Sequence, residues 1–144
     1  MCRLFLLLLL ITMPPAVAGE FRSIGENATP MYDAPSAKAE KLFVASRYYP
    51  VEVIVQVDNW TKVRDAAGDL AWVEKKTLSG MRTVVITSAL ADVRQRAEEG
   101  TPLVFQAGRG VALELVELGA SSWVKVRHRD GQTGFVRVNQ VWGL

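Results

Sequence analysis

An all-β chain of two small β-barrels in tandem, packed together behind a cleaved signal peptide, is the fold class this sequence predicts. Three observations carry it. Short runs of alternating apolar residues recur at close spacing, turn residues separate them, and the second half of the chain repeats the first. At 144 residues the chain has room for one domain or two very small ones.

Residues 1–18 come first and stand apart. Arg3, an almost unbroken apolar stretch from Leu4 to Met13, and the exit Pro14-Pro15-Ala16-Val17-Ala18 are the parts of a secretory signal, with cleavage expected after Ala18. The stretch falls short of the roughly 20 residues a helix needs to cross a bilayer, which weighs against the alternative of an uncleaved N-terminal anchor. Cys2 leaves with this segment, so the expected mature chain has no thiol and no disulfide, and its stability must come from packing. The expected location is the periplasm or the exterior, with no membrane span in the mature chain.

The repeat organises the rest. Trp60-Thr61-Lys62-Val63-Arg64 lies over Trp123-Val124-Lys125-Val126-Arg127, Gly68 over Gly131, and Trp72-Val73 over Phe135-Val136. Six of these nineteen ungapped positions are identical, where chance gives about one. Upstream the offset falls from 63 to 62, which aligns Ile24 with Ile86, Met31 with Val93, Phe43 with Phe105, Arg47 with Arg109 and Glu52 with Glu114. The domains are therefore 19–80 and 81–144, with too short a junction at Ser79 to Arg82 for a flexible linker.

In each copy the pattern gives short strands. Val51, Val53, Val55 and Val57 alternate with Glu52, Ile54 and Gln56, so the odd positions are expected on a buried face. Asp58-Asn59 turns the chain into 60–64, and Asp65 to Asp69 turns it into 70–73. In the second copy Gly119 to Ser122 and Arg129 to Gln132 supply the turns, and Asp130-Gly131 suggests a hairpin with both central residues at positive φ. Asn27 to Lys41, with Pro30 and Pro35, reads as an irregular excursion, and Ala89 to Gly100 as room for a helical turn. A sixty-residue barrel is marginal alone, so the two are expected to lean on each other, with 82–86 near the seam.

Composition excludes several classes. Seventeen cations against fifteen anions leave +2, scattered without a basic block, so nucleic acid is not an expected partner. One His and one Cys cannot build a Cys/His metal cluster or a Cys–His dyad with any partner to spare, and nothing marks Asp92 or Glu98-Glu99 as a general acid, so neither metal, cofactor nor catalytic residues are expected. His128 reads as a solvated loop residue.

The repeated Trp-x-x-Val-Arg…Gly…Trp/Phe-Val pattern resembles the bacterial SH3 (SH3-like, SH3b) family of partly open barrels. Pro50 to Ile54, Asn59-Trp60, Val63 to Asp65, Trp72-Val73 and Leu78 to Thr83 are similar to exported bacterial proteins with tandem SH3-like domains, with Met81 where Arg is usual. The resemblance implies binding rather than catalysis, often of peptidoglycan or its peptides. Tyr32-Asp33 and Trp60 match the eukaryotic peptide-binding SH3 pattern. The Pro and Tyr that complete its polyproline groove are Glu74 and Thr77 here, and Arg137 and Gln140 in copy two, so a PxxP ligand is rejected.

The candidate ligand-binding residues are Tyr32, Tyr48, Tyr49, Trp60, Lys62 and Arg64. Trp60 is in phase with Lys62 and Arg64 and opposite to Val63, which places an aromatic and two cations on one face. Such a face suits an acidic peptide or a sugar–peptide stem; equally, a tryptophan present in both copies can simply lid a barrel. Tyr48-Tyr49-Pro50 has no aromatic echo at Gly110-Val111-Ala112, so these tyrosines serve either one specific site or the contact between domains. Trp72, Phe135, Phe43 and Phe105 are expected to be structural. The expected partner is a peptidoglycan peptide or a periplasmic protein, engaged by a monomer.

Overall fold

The computed structural model describes residues 19–119 and 121–144. The expected signal peptide lies outside the described residues, as does one position of the Gly119–Ser122 turn. Copy one consists of β1 (Glu20–Ile24), β2 (Thr29–Tyr32), β3 (Lys41–Ala45), β4 (Pro50–Val57), β5 (Trp60–Arg64), β6 (Leu70–Glu74) and β7 (Leu78–Ser79). Copy two follows with β8 (Thr83–Ile86), β9 (Leu90–Arg94), β10 (Leu103–Gly108), β11 (Ala112–Leu118), β12 (Trp123–Arg127), β13 (Thr133–Arg137) and β14 (Val141–Trp142). Single 3₁₀ turns at Lys75–Thr77 and Val138–Gln140 precede the last strand of each copy.

Each copy forms one antiparallel sheet, in the order β3-β2-β6-β5-β4-β1-β7 and, strand for strand, β10-β9-β13-β12-β11-β8-β14. The two tandem small β domains that the pattern predicts are thus present, and the duplication extends to irregularities. The β4–β5 ladder shifts register between Val53 and Val55, and the β11–β12 ladder between the aligned Leu115 and Glu117. Each sheet wraps its own core. Ile24, Met31, Ala45, Val51, Val63, Ala71 and Val73 form one; Ile86, Val93, Ala107, Leu113, Val126 and Val136 occupy the aligned places in the other, which adds Val84, Ala91 and Val124.

Four expectations need correction. The excursion from Asn27 contains a strand, β2, which pairs with β3 through Thr29↔Ala45 and Met31↔Phe43. Pro30 is tolerated because β2 meets β6 only at Tyr32↔Trp72, so the edge beside it needs no donor. Residues 90–94 are strand rather than helical turn, since Ala91 and Val93 alternate into the core. In β4 the buried face fails beyond the bulge: Ile54, Val55 and Val57 are all exposed, because the hairpin outruns the barrel. Finally, only Gly131 of Asp130-Gly131 has positive φ. Gly131 N–H donates to His128 O at 2.9 Å and His128 N–H to Gln132 O at 2.8 Å, a three-residue loop ending in a left-handed glycine. Gly68 closes the same loop between Asp65 and Asp69 in copy one.

The copies meet along a narrow seam. Phe21 stands edge-on to Trp142, with centroids 5.2 Å apart, and the Arg82 guanidinium lies 5.5 Å over the Phe21 ring. Thr83 Oγ1 donates to Tyr48 O at 2.6 Å. The 82–86 segment does lie at the seam, but its strand pairs only within copy two, with β11 and β14. Among the described residues no helix is long and apolar enough to cross a membrane.

Candidate functional site

Where β3 runs into β4, the backbone does something costly. Tyr48 sits at φ 74, in the left-handed region that a bulky side chain rarely enters. The aligned residue in copy two is Gly110, at φ 86, where that conformation carries no Cβ penalty. Both positions close the same loop: Tyr48 N–H donates to Ile24 O at 2.8 Å, as Gly110 N–H does to Ile86 O at 2.9 Å. In the next position Tyr49 O accepts from Ile24 N–H and Val111 O from Ile86 N–H, each at 2.9 Å. The ladder thus dictates the bend, and copy one keeps a tyrosine in it at a cost of about 1 kcal/mol or more.

That tyrosine lines a cleft of about 600 Å³ between the copies. Copy one lines it with Phe43, Val44, Arg47, Tyr48, Tyr49 and Asp65 among others; copy two contributes Gly110 to Ala112, His128 and Arg129. Arg47 lies 5.0 Å over the Tyr48 ring and presents its charge beside it. Tyr49 Oη accepts from the Ala66 N–H at 3.2 Å, which ties the ring to the 65–69 turn. Burial raises the Tyr49 phenol above its ordinary pKa; the Ala66 hydrogen bond works against this and the Asp65 charge adds to it. Opposite, His128 packs edge-on to Phe105 at 5.6 Å and pairs with Asp130 at 3.1 Å. The Gln132 N–H holds the Asp130 carboxyl below its ordinary pKa, against slight desolvation and with help from His128. The result is an amphipathic hollow with aromatic and aliphatic walls and guanidiniums at its rim.

The six residues singled out from the sequence do not share one surface. Tyr48 and Tyr49 line the cleft. Tyr32 instead packs edge-on against Trp60, with centroids 5.5 Å apart at 86°, and is only 5% exposed, so it backs Trp60 rather than offering itself. Lys62 lies 5.9 Å over Trp72 on that same face. Arg64 is bound to Glu52 at 3.0 Å, a pair repeated as Arg127–Glu114 at 3.2 Å, and joins neither group. Strand phase puts Trp60, Lys62 and Arg64 on one side of β5, alternating with buried Thr61 and Val63, but phase cannot say which loop reaches across to them.

Several cleft residues escaped the sequence reading. Phe43 is not core but 43% exposed, between Leu42 and Val44 on the edge strand β3, while its partner by alignment, Phe105, is largely covered. Arg47, His128 and Arg129 carried no motif, and Asp65 only the Val-Arg-Asp of the barrel pattern. The available signal was a tyrosine aligned on a glycine, which marks a position where shape demands one residue and something else demands another.

The profile of the bacterial SH3 domain family matches residues 25–80 and again 87–143. No curated protein matches the chain in sequence. Among solved structures, NlpC2 and NlpC1 from Trichomonas vaginalis are similar at 11% and 13% identity, with TM-scores of 0.40 and 0.41, over 87% and 94% of this chain. An NlpC/P60 family protein from Bacillus cereus is similar at 14% identity and a TM-score of 0.40, over 85% of this chain. The matches cover 48%, 50% and 56% of those proteins, so this chain spans about half their length.

Proposed function

The chain belongs to the bacterial SH3 domain family, as two copies in tandem, and from that premise we propose that it is a non-catalytic binding module of the cell envelope. Its ligand is an extended cell-wall peptide held in the cleft between the copies. The observation that carries this reading is Tyr48, kept at positive φ where copy two has Gly110, with its ring in the cleft and Arg47 beside it. A cleft of about 600 Å³ suits a short peptide stem, whose methyl groups meet the aromatic walls and whose carboxylates meet Arg47 and Arg129. Export through the N-terminal segment belongs to the same proposal. Trp60 and Lys62 form a separate face and supply at most a second contact.

A second reading has its own support. β3 is an edge strand, and its Leu42, Phe43 and Val44 are 41%, 43% and 65% exposed. An edge of this kind is a template for strand addition by another protein, which would make the chain an adaptor docking a periplasmic partner. Retention of the full chain on purified cell wall separates the two. Retention lost in Tyr48→Gly and kept in Trp60→Ala supports the peptide cleft; no retention of the unaltered chain turns the assignment to the adaptor.

A further inference from the structure

Copy two carries a second concavity, of about 360 Å³, that shares no residue with the cleft. It lies on the sheet face where, in copy one, the Tyr32 ring closes against Trp60. The duplication places Arg94 on Tyr32, Trp123 on Trp60 and Arg137 on Glu74, so an aromatic wall and an acid have both become arginine. Arg94 does not fill the groove as the tyrosine does. Its guanidinium is drawn aside, donating to Thr101 O at 2.7 Å and Asp92 Oδ2 at 2.9 Å. Asp92 is further engaged by Gln106 Nε2 at 2.8 Å.

Arg137 is held differently. Its guanidinium lies 4.7 Å over the ring of Trp123, which is 8% exposed and forms the floor. Stacking on an indole fixes the plane of the fork and leaves its edge N–H groups to meet a planar anion. One such anion is already present: the carboxylate of Glu99 sits on Arg137 Nη2. Glu99 comes from the loop after β9, its side chain is 75% exposed, and the aligned residue in copy one is Ala37. An ion pair so open to water contributes little to stability and is easily displaced. With Glu99 swung out, the groove lining holds the guanidiniums of Arg94 and Arg137 against the single carboxylate of Asp92, one positive charge in surplus.

We propose that this groove binds a carboxylate group of a ligand on Arg137, with Trp123 as the platform that orients the arginine and Glu99 as an intramolecular stand-in for the ligand. The carboxylate can come from a chain terminus or from an acidic side chain. The test uses the full chain and three short acetylated alanine peptides: one with a free C-terminus, one amidated, and one amidated with an internal Glu. Binding is read from the Trp123 indole N–H resonance in NMR titrations. The expected result is that the peptides carrying a carboxylate shift this resonance and the neutral amide does not; the carboxylate form that shifts it identifies the source. Glu99→Gln removes the competitor and tightens binding about threefold, the scale of an exposed ion pair. Arg137→Lys keeps the charge but loses the fork, and weakens binding. Equal binding of the neutral amide overturns the proposal, as does the absence of any shift in both the unaltered chain and Glu99→Gln. Because Glu99 is exposed, its replacement tests the site without endangering the fold.

Discussion

Replacing Tyr48 by glycine and by alanine separates two quantities that a single substitution would confound. At φ 74 the tyrosine Cβ costs about 1–2 kcal/mol relative to glycine. Tyr48→Gly removes that strain but frees the unfolded chain, which costs about 0.4–1 kcal/mol. It also loses the Arg47 contact at 5.0 Å, about 0.5–1 kcal/mol at an exposed site, and part of a half-buried ring. These terms nearly cancel, so Tyr48→Gly should unfold within about 1 kcal/mol of the unaltered chain. Tyr48→Ala loses the same ring and keeps the strained Cβ. It should therefore be less stable than Tyr48→Gly by about 1 kcal/mol, a few degrees in Tm for domains of this size. Urea and thermal unfolding of both variants give the comparison. If alanine is as stable as glycine, the position is not strained and the functional weight placed on Tyr48 goes with it.

Thr61 is fully buried with its hydroxyl unpartnered, and copy two has Val124 there; Thr61→Val should raise the urea midpoint, by up to about 1 kcal/mol of stability, and a fall would reveal a partner for the hydroxyl. Phe21→Ala removes the ring that Trp142 and Arg82 both contact, and should cost about 1–2 kcal/mol with a red shift in tryptophan emission; unchanged stability would mean that the copies stand independently. For Tyr49 the folded pKa is raised, so above the ordinary tyrosine pKa the folded state holds the proton longer than the unfolded chain does. Stability is full below about pH 10 and falls as pH rises toward the folded value. Tyr49→Phe should flatten that alkaline slope; a slope of the same steepness in the variant would place its origin elsewhere.

What could be read from residues alone follows from what determines each feature. Alternation and turn residues are local, so β5, β6 and both glycine-closed turns were visible in Trp60 to Val73 and again in Trp123 to Val136. β2 was hidden because Pro30 argues against a strand, and only the position of β6 makes it permissible. The outer half of β4 misled for a related reason: the valines keep their alternation past a bulge, beyond the end of the barrel they would have packed against. The cleft is non-local throughout. No periodicity in one strand announces that Tyr48 from one copy and His128 from the other share a cavity.

The duplication itself supplies the control that a single sequence otherwise lacks. Two copies built on the same ladder experience nearly the same packing demands, so the fold alone is sufficient to explain a residue they share, and a residue they do not share is where the fold was indifferent. Trp60 and Trp123 fall in the first group, and the near-complete burial of Trp123 beneath Arg137 fits a structural floor. Tyr48 falls outside even the second, because the ladder is not indifferent there: Gly110 shows what the backbone prefers. Arg94 and Arg137 replace Tyr32 and Glu74 without disturbing a single strand pairing, which the matching sheet orders demonstrate. The copies thus hold one scaffold under two chemistries, aromatic in the first and cationic in the second. A swap that writes Tyr32 and Glu74 into positions 94 and 137 should leave the fold intact and remove the carboxylate preference of copy two.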